Sequence, residues 1–426
     1  MPSPTKPASR AKGAPSSVLW RHRDFLNLWG AQTVSDFGAR ITREGLPMMA
    51  VMGLAAAPAQ LGLLAALSSG SALVVGLIAG DFVDHTQRRP ILIAMDLVRA
   101  AILIVLPIAT WMGLLSMLQV YAAAVLVAAS SVLFDIADHA YLPGLVGKHL
   151  VTDANARMSV TESVAEMGGP ALAGVLFQWL TAPIAVAINA ATYLVSALLL
   201  ARIRAPEPPR DTSVKRRGWV DGVITGARTS WGEPRVRIML IMTAIGGLFG
   251  GFFSALYIAY VLRDLGLSPA LLGLGIASGG VGALAGSLLA QTMARRLGVG
   301  PAICAAGALS ALGTMIVLLA PASNPAGGMA CLVVSQLLGD AFGVVPLILA
   351  GSLRQIILPH DVLGRVGATF RVAGGGTAVV GALAGGALGG VLGMRQALLI
   401  AIAGLMIGPA WGLLSPLRRV REMPAA

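Results

Sequence analysis

Charge is scarce in this chain. Only 12% of its 426 residues are Asp, Glu, Lys or Arg, about half the share in an ordinary soluble domain. With 56% hydrophobic residues and a mean hydropathy of +0.80, this argues against a soluble enzyme. Cysteine is almost missing. Cys304 and Cys331 stand alone in apolar stretches, so there is no disulfide framework and no metal-ligand spacing. Signatures of chemistry are missing as well. A Gly-x-Ser-x-Gly elbow, a His-Glu-x-x-His pair and a Cys/His cluster are all lacking, which argues against a membrane enzyme. The phosphate loop of an ATP-driven pump is lacking too. No cleavable signal peptide is evident. Residues 1–24 are polar and basic, and are expected to form a disordered tail.

Long apolar runs are what the chain does have. Twelve are read, at 25–54, 59–80, 91–113, 117–140, 158–180, 183–204, 236–262, 268–292, 300–321, 327–350, 366–392 and 395–415. A helix needs roughly 20 such residues to cross the hydrocarbon. The net charge of +12 invites a nucleic-acid partner, but the placement of the charges opposes one. Counted along these spans, 27 of the 31 Lys and Arg fall on one side, and only Arg263 and Arg395 on the other. That is the asymmetry of a polytopic membrane protein whose basic side is cytoplasmic. The stretch 205–235, with Pro206, Pro208, Pro209 and the run Lys215-Arg216-Arg217, is the one long polar interruption. It divides the chain into halves 25–204 and 236–415, leaving a tail at 416–426. Residues 217–232 are expected to form a short amphipathic helix.

The halves resemble each other. A shift of 211 residues lays Pro58, Ala59, Leu61, Gly62 and Leu63 on Pro269, Ala270, Leu272, Gly273 and Leu274, and Pro90 on Pro301. Parallel repeats of this kind place a substrate site at mid-membrane, between the halves.

Between the second and third spans lies a polar island, Gly80-Asp81-Phe82-Val83-Asp84-His85-Thr86-Gln87-Arg88-Arg89-Pro90. It resembles the major facilitator signature in Gly80, Asp84, Arg88 and Arg89. It departs at His85 and Gln87, where the family has Arg and Gly. Gly169-Pro170-Ala171-Leu172-Ala173-Gly174 is similar to the antiporter motif, with Ala173 in place of one Gly. Tyr141-Leu142-Pro143-Gly144 with Asp153-Ala154-Asn155-Ala156, and Gln355-Ile356-Ile357-Leu358-Pro359, resemble the bacterial exporter branch that includes the enterobactin exporters. The resemblance implies the major facilitator fold, with spans one, four, seven and ten lining a cavity and with Asp84 and Arg88 in a cytoplasmic gate.

Charges inside the spans are the candidates for function. Asp36, Arg40, Arg43 and Glu44 lie within nine residues near the middle of the first span. Asp36–Arg40 and Arg40–Glu44 are i,i+4 neighbours. Two readings stay open: a self-neutralised cluster that tolerates burial, or a set facing water with a carboxylate that exchanges protons. Asp340, in span ten, has no basic residue within a turn or two and is the second candidate proton carrier. It is expected to face Asp36 at similar depth. Asp96 and Arg99, Asp135 and Asp138, and Glu162 and Glu166 lie near the cytoplasmic ends of spans three, four and five. With Arg88 and Arg89 they are expected to form a network that breaks when the transporter changes state. Phe249, Phe253 and Tyr257 share a face of span seven, as an apolar substrate wall or as lipid-facing aromatics. Gly169, Pro170 and Gly174 form a bend or a close helix contact.

The sequence therefore reads as an all-α integral membrane protein of twelve transmembrane helices in two pseudo-symmetric halves. It is expected in the bacterial cytoplasmic membrane with both termini cytoplasmic. Its expected work is secondary active export of a small amphipathic, drug- or siderophore-like molecule by proton antiport. The alternative is an importer or facilitator of the same fold. Protons, lipid and a small substrate are the expected partners, with the proton gradient in place of any cofactor or metal. A monomer suffices, because each chain contains both halves.

Overall fold

The computed structural model describes residues 19–147, 149–207, 219–321 and 323–422, and every regular element among them is helical. The tail over 1–18, the basic run 215–217 and the last four residues lie outside the described residues. The first half holds α1 (Arg23–Gly53), α2 (Pro58–Asp84), α3 (Arg88–Trp111), α4 (Met117–Val146), α5 (Val151–Trp179) and α6 (Thr181–Ala201). After the short α7 (Trp219–Gly232) come α8 (Pro234–Ala259), α9 (Pro269–Leu297), α10 (Val299–Met315), α11 (Pro325–Ile357) and α12 (His360–Leu392). The last span is built from α13 (Met394–Leu405) and α14 (Ile407–Leu414).

Local chemistry sets these boundaries. Pro58, Pro234, Pro269 and Pro325 each open a helix, where a missing N–H costs nothing. Asn324 caps α11 by accepting from the N–H groups of Ala326 and Gly327 at 3.1 and 3.2 Å. Gly147, Gly298 and Gly393 end α4, α9 and α12 at φ of 76°, 90° and 88°, which only glycine adopts freely.

Among the described residues, ten helical segments are long and apolar enough to cross a membrane. The expected twelve differ from these by α1 and α5. Both are as long, at 31 and 29 residues, but both carry charges along their length. Several helices also outrun the apolar stretches. α4 continues to Val146, α5 already begins at Val151, and α12 begins at His360. Hydropathy registers only the part of a helix in hydrocarbon, whereas the backbone stays helical into water. The first helix likewise starts at Arg23, behind a 3-10 turn Leu19–Arg21 whose Leu19 is buried. Between the halves, α7 docks on the start of α12, where the Thr369 hydroxyl donates to the Val223 carbonyl at 3.1 Å.

The helix pairing repeats between halves. α2 packs on α4 as α9 packs on α11, and α3 on α4 as α10 on α11. α1 packs on α5 as α8 packs on α12, and α1 on α6 as α8 on α13 and α14. The seams between halves obey the same symmetry, α2 with α12 and α5 with α9. Small residues make these seams close. At Gly62 a Cβ would come within 2.6 Å of both the Ala382 carbonyl oxygen and the Gly386 Cα.

Three large apolar clusters show how the halves meet. One joins them: Leu46, Met49 and Leu61 pack with Phe252, Leu256 and Leu272, at the end of the bundle away from the basic loops. At the basic end the clusters are separate. Phe25, Leu28, Phe134 and Leu200 belong to the first half alone, and Met239, Val299, Leu353 and Phe370 to the second alone. The halves are therefore sealed together at one face and parted at the basic face.

Candidate substrate cavity

Between the halves lies a cavity of about 830 Å³. Its wall combines Asp36, Arg40, Arg43 and Glu44 of α1 with Asp135, Asp138 and His139 of α4 and Glu162 of α5. The second half contributes Phe253, Tyr257 and Gln336. The rings of Phe253 and Tyr257 stack at 5.1 Å between centroids.

The expected pairing inside α1 is not what forms. Arg40 does not turn to Asp36 or Glu44. It pairs with Glu166 of α5. Arg43 donates to the same Glu166 at 3.0 Å and to its own neighbour Glu44 at 3.0 Å. The reason is the position of Glu166. Because α5 begins at Val151, this residue lies midway along the helix and not at its start. Gly169, one turn on, has no side chain where the stem of Arg40 crosses α5. Pro170 has no N–H for the Glu166 carbonyl to accept, so the helical bond that would close on Glu166 is missing.

The network expected at the basic face is not assembled in this conformation. Asp135, Asp138 and Glu162 line the cavity. Gln32 donates to Asp138. Asp96 and Arg99 form a closed pair at 2.5 Å inside the first half, at 0% and 1% exposure. The Arg99 guanidinium sits between the Phe134 and Tyr193 rings, 4.4 and 4.3 Å from their centres. Arg89 donates to the carbonyls of Leu200 and Ala201, and the Arg88 backbone N–H to Glu207. Both arginines thus hold the end of α6 and the start of the linker, away from the acids of α4 and α5. Gly80 lies in the last turns of α2 with open space at its α-carbon. Asp84 closes α2, and its side chain lies outside the described set.

Two further expectations are corrected. Asp340 does not join Asp36 in the cavity wall. It lies one turn beyond Gln336, with its carboxylate against Gly279 of α9. Phe249 does not line the cavity either, because Gly404 of α13 leaves a slot that its ring fills. Gly174 and Pro170 face the opposite way from Gly169. Gly174 admits the Pro269 backbone of α9, and Gly273 of α9 admits the Pro170 carbonyl. The antiporter-like stretch therefore touches Arg40 on one side and the seam between halves on the other.

Sequence reasoning missed Gln32, Gln336, Tyr193 and Arg263. Gln32 and Gln336 each stand four residues before a candidate carboxylate in an apolar helix, and that spacing was a usable signal. Arg263 was set apart only as a basic residue on the wrong side. It donates to the carbonyls of Ala56 and Val51 at 2.7 and 3.0 Å, tying the π-helical turn Tyr260–Asp264 that follows α8 to the end of α1 at the sealed face. Nothing in the sequence pointed to Tyr193.

Two symmetry-related helical halves, sealed at one face around a central polar cavity, define a membrane transporter. Residues 16–425 match the family described as transmembrane secretion effectors, and the chain belongs to this family of the major facilitator superfamily. Its members are transporters and not enzymes. Two proteins of Bacillus subtilis (strain 168), both described as uncharacterized MFS-type transporters, are similar in sequence. YfiS is 24% identical over 391 residues, 89% of each chain. YvqJ is 26% identical over 235 residues, which span 53% of this chain and 55% of that protein. Among solved structures, a bacterial homologue of the iron transporter ferroportin in its inward-facing state superposes with a TM-score of 0.72 at 16% identity. The superposition covers 92% of this chain and 98% of that one. An outward-facing structure with the same description and the same coverage gives 0.55 at 15% identity.

Proposed function

We propose that this chain is a secondary active exporter of small amphipathic molecules, driven by proton antiport in the bacterial cytoplasmic membrane. The charge asymmetry supports a cytoplasmic basic face, with both termini on that side. The observation that carries the reading is the ion-pair cluster at the cavity wall. Glu166 is shared by Arg40 and Arg43, and Arg43 also holds Glu44. A proton taken up by Glu166 removes the common partner of two arginines and loosens α1 from α5. Since Gly174 and Pro170 of α5 sit on the seam with α9, that loosening reaches the contact about which the halves rock. Asp340, whose carboxylate lies against α9, the second-half partner in that seam, is the second-half group assigned to exchange the proton. The family's description as secretion effectors supports the outward direction.

The test uses inside-out vesicles with an imposed pH gradient. Gradient-driven uptake of amphipathic dyes is expected in the wild type. It should be lost in Asp340→Asn and Glu166→Gln, while gradient-independent exchange of the same dyes persists. Uptake undiminished in both variants overturns the coupling assignment. Accumulation driven in the opposite sense favours an importer.

A further inference from the structure

The charges around the cavity do not balance. Three arginines border it, and each is already matched: Arg40 by Glu166, Arg43 by Glu44 and Glu166, Arg99 by Asp96. Asp36, Asp135, Asp138 and Glu162 also line it. Among the described residues none of these four makes an ion pair. The imidazole of His139 is the remaining group of basic character in the wall. Its Nδ1 lies 2.7 Å from the Asp135 carbonyl of its own helix.

Besides Nε of Arg99, which is enclosed within the first half, two buried polar atoms of wall residues have no partner. Asp138 is 4% exposed, and its Oδ1 accepts from no group, although Oδ2 accepts from Gln32. Tyr257 is 7% exposed, and its hydroxyl is unbonded. A buried polar atom left without a partner is costly, so the Asp138 carboxylate and the Tyr257 hydroxyl are the two wall groups that a hydrogen-bonding occupant would satisfy. Beside that hydroxyl the stacked Phe253 and Tyr257 rings present aromatic surface, which attracts cations as well as apolar bodies.

The geometry points to an organic cation as the occupant. It would carry an apolar or aromatic body against Phe253 and Tyr257, a positive centre toward Asp135 and Glu162, and a hydrogen-bonding group for the Tyr257 hydroxyl. An anionic iron chelate finds no free arginine in this wall and meets four carboxylates. Excess charge of one sign in a low-dielectric cleft selects ligands of the other sign. This inference rests on the transporter reading but not on proton coupling.

The experiment measures equilibrium binding to the purified full chain in lipid nanodiscs, with no gradient. The probes are tetraphenylphosphonium and tetraphenylborate, which share size and shape and differ in sign. Saturable binding of the phosphonium is expected, with no displacement by the borate. Equal or tighter binding of the borate overturns the proposal, and that comparison needs no variant. Asp135→Asn combined with Glu162→Gln should weaken the phosphonium at least tenfold, while Glu162→Asp, which keeps the charge, changes it little. Unchanged affinity in the double variant overturns the placement. Tyr257→Phe should weaken ethidium, whose amino groups can reach the hydroxyl, and leave tetraphenylphosphonium unchanged. An equal effect on both removes the hydroxyl from the site. Binding without gradient-driven uptake in vesicles would reject proton antiport and leave the cation site standing. Gradient-driven transport of anions alone would do the reverse.

Discussion

Arg40 of α1 reaches across to Glu166 of α5, and the missing side chain of Gly169 is what lets its stem lie there. Arg40 lines the cavity and the pair is partly open, with side-chain exposures of 20% and 45%. Solvent screening therefore limits its contribution to stability to about 1 kcal/mol. Glu166→Gln should unfold within a few degrees of the wild type in a thermal melt while losing gradient-driven transport. A melt shifted far downward with transport intact would mark the pair as a structural brace and remove it from coupling.

The two glycines of the antiporter-like stretch should fail in different ways. A Cβ at Gly169 meets the Cβ and Cγ of Arg40, and because a Cβ is fixed by its own backbone, α1 has to shift from α5 and Arg40 to give up Glu166. A Cβ at Gly174 meets the Pro269 backbone of α9, which cannot move without opening the seam. Overpacking of that kind costs about 1–3 kcal/mol. Gly174→Ala is thus expected to lower the melting temperature by opening the seam, and Gly169→Ala to lower it by prising α1 from α5 and, with Arg40 displaced from Glu166, to lose transport as well. An unchanged melt for Gly174→Ala would contradict the backbone contact there, and an unchanged melt for Gly169→Ala would contradict the crossing of Arg40 over α5.

The fold was largely legible because apolar run length, basic-residue asymmetry and a repeat at 211 residues all follow from the bilayer. The site was legible in part. The ionisable residues of α1 announce themselves by sitting in hydrocarbon, and so does Asp340. Their partners do not. Asp36, Arg40 and Glu44 are four apart on one helix, yet Arg40 pairs across to α5 because the seven residues before the expected start of that helix are helical too. A hydropathy boundary placed at 158 made Glu166 look superficial, while the helix start at Val151 makes it central. Phe249 shares a helical face with Phe253 and Tyr257, but a glycine more than 150 residues away diverts it. Contacts of that range leave no trace in local spacing.

Arg263 is the side chain to remove in order to bias the two states. Its guanidinium donates to Ala56 and Val51 at the sealed face, and the same loop holds Ala55 at a left-handed φ of 47°. Each hydrogen bond from a charged donor contributes about 1.5–3 kcal/mol, so the loss of one alone should shift the population toward opening at that face by roughly 10- to 100-fold, and the loss of both by more. Leu61 lines the cavity and is buried. With Cys304 and Cys331 replaced, a cysteine at position 61 should be labelled faster in Arg263→Ala by an impermeant thiol reagent applied from that face. Unchanged labelling would show that the apolar cluster alone keeps the face closed.

Asp96 and Arg99 invite a different test, because the structure separates stability from gating there. Both are wholly buried, bonded at 2.5 Å, and enclosed by Phe134, Tyr193 and Ser131, all of the first half. No residue of the second half reaches them among the described contacts. Removing one partner of a buried pair leaves an uncompensated charge and costs about 3–5 kcal/mol. Replacing both by apolar residues of similar volume is often neutral. Asp96→Leu alone should therefore fail to give a stable protein. Asp96→Leu combined with Arg99→Met should melt close to the wild type. If the pair merely fills the first half, the double variant transports at near wild-type rate, as expected from its enclosure. A double variant that is stable but inactive would mean that the pair opens during the cycle, and that the gate runs through α3 after all. Arg99→Lys sharpens the comparison, since a lysine keeps the charge but cannot stack flat between two rings. It is expected to lose stability that the double variant retains.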